Sequence, residues 1–145
     1  MDLKALGALL RFAHLSSHAV FSSVLKEYKM SVEQWIILNI VQDQEVTQKT
    51  LASILNSEQS SVTRMVDALE KNALVSREVH PTDRRAKLVI PTTRGREVVQ
   101  ASNTSASTLA QSFDANFTPE ELSDLKGYLV RITKANEAYL LASSI

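Results

Sequence analysis

"EQSSVTRMVDALEKNALVSREVHPTDRRAKLVIP", residues 58–91, changes its period halfway along. Up to Asn72, the apolar residues Val62, Met65, Val66 and Leu69 recur at i, i+3, i+4 and i+7, which is one stripe of an amphipathic helix. The opposite face carries Gln59, Ser60, Ser61, Thr63, Arg64 and Asp67. After Ala73 the pattern becomes two short β-type runs, LVSREV and AKLVIP. Between them lies HPTDRR, in which Pro81, Thr82 and Asp83 are turn formers. The stretch therefore reads as a helix followed by a hairpin with a basic tip. From Arg84 to Arg96 there are five cations (Arg84, Arg85, Lys87, Arg94, Arg96) and no acid, although the whole chain balances 16 basic against 16 acidic side chains.

Upstream, Thr47 is placed to cap a short helix, QKTLASIL, whose inner face is Leu51, Ala52 and Leu55, with a break at Asn56-Ser57. Two short helices, a tight break and a hairpin follow the order of a winged helix-turn-helix. Further out, the first 29 residues carry Leu3, Leu6, Leu10, Ala13, Val20, Val24 and Tyr28 near the helical period and read as one long helix. Ser31 and Gln34 form a capping box for a helix bearing Trp35, Ile36, Leu38 and Ile40. Downstream, Thr92 caps a helix from Thr93 towards Ser112. Thr118, Pro119 and Glu121 then open a last helix with a seam of Leu122, Leu125, Leu129, Ile132 and Tyr139.

The expected fold class is mainly α with a small β-hairpin wing. Composition agrees: 145 residues with 44% apolar content suit one domain, and three glycines with three prolines are too few for a turn-rich β-sandwich. With no cysteine there is no disulfide framework, thiol nucleophile or cysteine zinc site. No apolar run approaches the roughly 18 residues of a membrane span. Asp2, Arg11 and His14 break the N-terminal apolar run, so it reads as a helix rather than a signal peptide and the expected location is the cytoplasm. Residues 47–100 hold nine Lys/Arg against six Asp/Glu, an excess of three that the remainder of the chain offsets.

Duplex binding explains these residue choices. The second helix of such a pair enters the major groove, where small polar side chains permit close approach; Gln59, Ser60, Ser61 and Thr63 meet that need, and Arg64 reaches a guanine edge or a phosphate. Arg84 and Arg85 at the hairpin tip suit a neighbouring minor groove. Lys49, Lys87 and Arg94 are candidate DNA contacts, with Lys49 and Arg94 expected at phosphates. Asp83 is expected to hold an arginine through a charge-assisted hydrogen bond to its guanidinium.

The strongest pieces, Val62-Thr63-Arg64-Met65-Val66-Asp67-Ala68-Leu69-Glu70, Leu74-Val75-Ser76-Arg77, and Asp83-Arg84-Arg85 followed by Thr92 and Gly95, resemble the DNA-binding domain of the MarR (multiple antibiotic resistance regulator) family. The resemblance is specific over residues 47–97. It implies a single MarR-like chain, 1–145, with a winged helix-turn-helix region at 31–97 and a helical dimerisation region at 1–30 and 98–145. It places the recognition helix at 58–72 and the wing at 76–91, with Arg85 at the minor groove. It further implies a homodimer on a pseudo-palindromic operator. Small anionic or phenolic effectors would bind in a cleft beside the DNA-binding region and release the DNA. Three positions depart from the family pattern. Ala73 stands where Gly is usual, so Asn72 is expected to take the left-handed conformation that ends the helix. Ser57 replaces an apolar residue. Pro91 replaces a Leu and is expected to end the second wing strand early.

His14 and His18 share a helix face. They lack further partners at ligand spacing, so no metal or cofactor is assigned. With Trp35 they are candidates for the effector cleft, or for a dimer-interface or surface patch. Two rival readings remain: a hydrolase built on a His14/His18 metal, and a helical interaction module whose winged domain docks protein instead of DNA. The terminal helices carry apolar stripes too long for so small a domain to cover alone, which calls for a second copy of the chain.

Overall fold

The computed structural model describes residues 5–143, so the expectations for Asp2 and Leu3 lie outside it. In chain order the elements are α1 (Leu6–Leu25), a 3-10 turn (Lys26–Tyr28), α2 (Val32–Asp43), β1 (Val46–Thr47), α3 (Gln48–Ile54), α4 (Gln59–Lys71), β2 (Val75–Val79), β3 (Lys87–Pro91), α5 (Thr93–Asp114) and α6 (Pro119–Ser143). They form two compact units that divide within α5, after Ala106.

The first unit holds the core. Ile37, Leu38 and Val41 of α2, Leu51 of α3, Val62, Val66 and Leu69 of α4, and Val75 and Val89 of the sheet are all buried together. The capping boxes expected at Ser31/Gln34 and Thr118/Glu121 are formed, as is the Thr47 cap. The expected stripe of α4 is its buried face, with Met65 packed at the edge. In α2 the inward face is Ile37, Leu38 and Val41, while Ile36 is only half-buried. The helix rotates to seat its most aliphatic stripe, and Trp35 and Ile40 pack at the margin.

Four expectations are corrected. The first helix does not run through residue 29: it ends at Leu25, tightens into a 3-10 turn and stops at Lys29, whose φ of 54° is left-handed. The hairpin is part of a three-stranded antiparallel sheet of order β1-β3-β2, because Val46 and Thr47 pair with Val89 and Leu88. A two-residue strand is too short to show a period in the sequence.

Ala73, with φ 58°, takes the left-handed position, while Asn72 stays at φ −84°. The bonds Leu74 N–H to Leu69 O (2.9 Å) and Ala73 N–H to Glu70 O (2.9 Å) make a Schellman ending. That motif requires its left-handed residue one place after Asn72, whichever side chain stands there.

Lastly, Pro91 does not cut β3 short; it is the strand's last residue, paired with Val75. The next residue, Thr92, donates its N–H to Leu74 O at 3.1 Å, on the β2 side. Strand amides alternate, so the proline nitrogen points to the other side, beyond the end of β1, where no bond is lost.

Around Ala73 the chain is knotted by hydrogen bonds. Thr92 Oγ1 donates to Ala73 O at 2.7 Å and accepts from Gly95 N–H at 2.9 Å, opening α5 as expected. Gly95 faces the Leu74 carbonyl so closely that a Cβ there would lie 2.0 Å from the oxygen. This joint sets where the hairpin leaves the helices.

The second unit, from Ser107 on, holds the end of α5 and all of α6. None of its described residues is buried, and Phe117, Leu125, Tyr128, Leu129 and Tyr139 are exposed.

Two substitutions at the joint should move stability in opposite directions. Ala73→Gly relieves a left-handed alanine and should stabilise the fold by about 1 kcal/mol. Gly95→Ala drives a methyl into a backbone carbonyl and should cost about 2–3 kcal/mol. Urea denaturation of both variants checks the pair, and equal shifts would contradict the geometry.

Candidate nucleic-acid interface

The polar face of α4 lies outward as its spacing requires. Gln59, Ser60, Thr63 and Arg64 are exposed and Ser61 is half-buried. Arg64 folds back along the helix, its Nη2 lying 3.4 Å from Ser61 Oγ. This is the direction that helical side chains favour, towards the N-terminus.

The hairpin connection, residues 80–86, is held by local bonds. His80 N–H donates to Ala86 O at 3.1 Å, and Ala86 N–H to Asp83 O at 3.0 Å. The His80 ring nitrogen Nδ1 accepts from Thr82 N–H (3.3 Å) and Asp83 N–H (3.3 Å) and meets Thr82 Oγ1 at 3.2 Å. Asp83 does hold an arginine, but through the backbone: its Oδ1 accepts from Arg85 N–H at 3.0 Å. A short carboxylate two residues back reaches the amide more readily than the end of a long side chain. The Arg84 and Arg85 side chains are left exposed at the tip.

A cleft of about 560 Å³ joins the two elements. It is bordered by Lys49 of α3, Gln59 at the start of α4, and His80, Asp83, Arg85 and Lys87 of the wing. Three permanent cations thus face one carboxylate across a space that begins at the N-terminus of α4. Ser60, Ser61, Thr63, Arg64, Arg84 and Arg94 do not border this cleft. Arg94 is exposed on the first turn of α5.

What holds the wing against α4 is a residue not singled out as a site in the sequence. Arg77 on β2 has a side chain only 13% exposed. Its Nη2 lies 2.5 Å from Asp67 Oδ1, its Nη1 donates to Glu70 Oε2, and its Nε donates to Gln48 Oε1 at 2.8 Å. Gln48 Nε2 in turn donates to Thr63 Oγ1 at 3.0 Å. Asp67 and Glu70, three apart on α4, were legible as a pair on one face. Nothing in the spacing shows that a strand would supply their cation.

The candidate effector residues lie elsewhere in the first unit. His14 is exposed, its ring 5.9 Å from that of His18. His18 Nε2 lies 3.1 Å from Glu33 Oε1, and its Nδ1 lies 3.4 Å from Ser22 Oγ, so the ring ties α1 to α2. Trp35 stacks on Phe21 at 6.3 Å and donates its indole N–H to Asn103 Oδ1 at 3.0 Å. Asn103 Nδ2 donates to Asn39 Oδ1 at 2.8 Å, which joins α2 to α5. Partial burial raises the pKa of Glu33. Hydrogen bonds from its own backbone amide, His18 and Ser31 outweigh that and hold the carboxyl below the ordinary range.

Arg77→Met should lower stability by about 1–2 kcal/mol in chemical denaturation, because its partners are exposed enough for water to replace part of the loss. The wild-type protein should lose part of the same increment at high salt. A variant as stable as wild type would show that the clamp holds nothing. Glu33, with its lowered folded pKa, contributes stability above the unfolded carboxylate pKa, and that contribution is lost as pH falls through the folded value. Glu33→Gln should flatten this part of the acid limb in a pH series of melts, and an unchanged limb would contradict the tie.

The sequence profile of the MarR family matches residues 30–87. An uncharacterized HTH-type transcriptional regulator from Bacillus subtilis, YdgJ, is 33% identical over 88 residues. That alignment spans 61% of this chain and only 54% of the relative. A MarR mutant from E. coli complexed with operator DNA has the same fold, with a TM-score of 0.82 at 23% identity, covering 90% of this chain and 95% of that one. So does BpsR from Bordetella bronchiseptica, whose DNA binding is regulated by 6-hydroxynicotinic acid. It has a TM-score of 0.83 at 24% identity and covers 92% and 96% of the two chains. Among the described residues of the present chain, no helix is long and apolar enough to cross a membrane. With its helix pair, its hairpin braced by Arg77 and a profile match that runs from residue 30 to the start of β3, this segment of the chain is similar to the MarR family.

Proposed function

We propose that the protein is a homodimeric, ligand-responsive repressor that binds a pseudo-palindromic operator. The observation that carries this reading is the shared cleft: the start of α4 and the wing tip border one space, with Lys49, Arg85 and Lys87 around it. A duplex laid against α4 then meets cations on both flanks. Gln59, Ser60, Ser61, Thr63 and Arg64 face bases, Arg85 and Arg84 serve the minor groove, and Lys49, Lys87 and Arg94 serve phosphates. Asp83 supports the wing by fixing the backbone of Arg85.

The dimer reading rests on exposed apolar side chains. On α1, Leu6, Leu9, Phe12 and Leu15 are each at least 46% exposed, and α6 separately exposes Tyr128, Leu129 and Tyr139. Burial between copies would remove such surface at about 25 cal/mol per Å². Two recognition helices would then read half-sites about one helical turn apart. The effector is a small anionic or phenolic molecule of the kind BpsR responds to, taken up beside α1 and α2 near His14, His18 and Trp35. The protein acts as a regulator without catalytic activity, and works in the cytoplasm where its DNA is.

Fluorescence anisotropy with operator duplex tests this. Arg85→Ala should weaken binding by about tenfold or more and leave a dimeric mass in light scattering. Lys49→Ala should weaken all duplexes alike and reduce the salt slope by about one. Full affinity in Arg85→Ala removes the wing from DNA recognition, and a monomeric mass at micromolar concentration removes the dimer. Binding to a partner with a flat salt dependence, and to no duplex, would favour a protein-docking module.

A further inference from the structure

We propose that Thr63 meets the DNA as a hydrogen-bond acceptor, and that Gln48 is the positioning residue that imposes this polarity. The inference rests on the DNA-binding reading above and adds the chemistry of one contact.

A threonine hydroxyl carries one proton and two lone pairs, so it can meet a base edge as donor or acceptor. On a helix its Oγ1 also divides between two rotamers. Here both freedoms are removed. Thr63 Oγ1 donates its proton to the Gln59 carbonyl at 2.9 Å. Gln48 Nε2 donates to the same oxygen at 3.0 Å and occupies one lone pair. What remains on this exposed side chain is a single lone pair.

The amide of Gln48 has only one orientation open to it. Its Oε1 lies 2.8 Å from Arg77 Nε, and a guanidinium nitrogen only donates. The amide oxygen must therefore face Arg77 and the amide nitrogen must face Thr63. Arg77 is itself fixed by Asp67 and Glu70. A relay from β2 through α3 thus sets the polarity of a side chain on the outer face of α4.

In the major groove adenine N6 and cytosine N4 donate, whereas thymine O4 and guanine O6 and N7 accept. Each base pair carries one such amino group, on one strand. An acceptor held at a fixed place therefore selects A or C over G or T on the strand it faces, and rejects the same pair turned round.

Selection from a random duplex pool tests this with wild type, Thr63→Ser, Thr63→Val and Gln48→Met, each checked for folding by circular dichroism. In wild type, one position of each half-site should be enriched in A and C over G and T by about fivefold or more. Thr63→Ser should keep that enrichment and Thr63→Val should reduce it below about twofold. Gln48→Met should weaken it while the salt slope stays as it was. Enrichment of G or T at the Thr63-dependent position overturns the inference. So does a Gln48→Met profile identical to wild type. If wild type selects an operator and Thr63→Val changes no position, this inference fails alone. If wild type selects no duplex at all, the DNA-binding reading fails with it.

Discussion

A guanidinium taken mostly out of water determines how this molecule presents its polar surface. Arg77 is 13% exposed, and an unpaired charge at that depth would be costly. Two carboxylates from α4 and an amide from α3 surround it, so the cation is tolerated only while β2, α3 and α4 keep one arrangement. Its contribution to stability is modest, since Asp67 and Glu70 are 59% and 43% exposed and water competes for them. Its contribution to geometry is larger. β2 and β3 are in register from Val75↔Pro91 to Val79↔Lys87, so fixing the middle of β2 at Arg77 fixes the direction in which residues 80–86 project.

A second fixed point lies at the start of the same strand. The left-handed turn at Ala73, the Thr92 hydroxyl and the absent side chain of Gly95 bring the end of α4, the base of the hairpin and the start of α5 within hydrogen-bond contact. Between these two points the hairpin has little freedom to swing. The cleft bordered by Lys49, Gln59, Arg85 and Lys87 is a consequence of that stiffness and not of any direct bond between the tip and α4. Precise placement from a rigid scaffold is what base readout demands, since a hydrogen bond to a base edge weakens steeply with misalignment.

Most of the fold was legible because its signals are local. The stripe Val62/Met65/Val66/Leu69, the capping residues Ser31, Thr47, Thr92 and Thr118, and the change of period after Ala73 each act within a few residues. What was illegible depends on distant partners. The strand Val46–Thr47 exists only because β3, far along the chain, offers a free edge, and Pro91 is harmless only because it lies past the Val46↔Val89 pair, where β1 has no residue. Ala73 was misread because side-chain preference was weighed over the position the Schellman bonds demand. The exposed candidates on α4 and the wing were found from residue type and spacing. Arg77 and Gln48 were not, because a half-buried polar relay has no periodic signature. Asp83 was expected to bond the guanidinium of an arginine, whereas its carboxylate accepts from the Arg85 backbone amide, and backbone amides are invisible to an inventory of side chains.

Amide chemical shifts of the labelled protein, followed while operator duplex is titrated in, examine whether α4 and the wing form a single reading surface. Residues 59–64 and 83–87 should shift together and saturate at the same duplex ratio, with Arg85→Ala reducing both sets of changes. Shifts confined to one of the two segments, or two segments saturating at different ratios, would mean that no single double helix touches both.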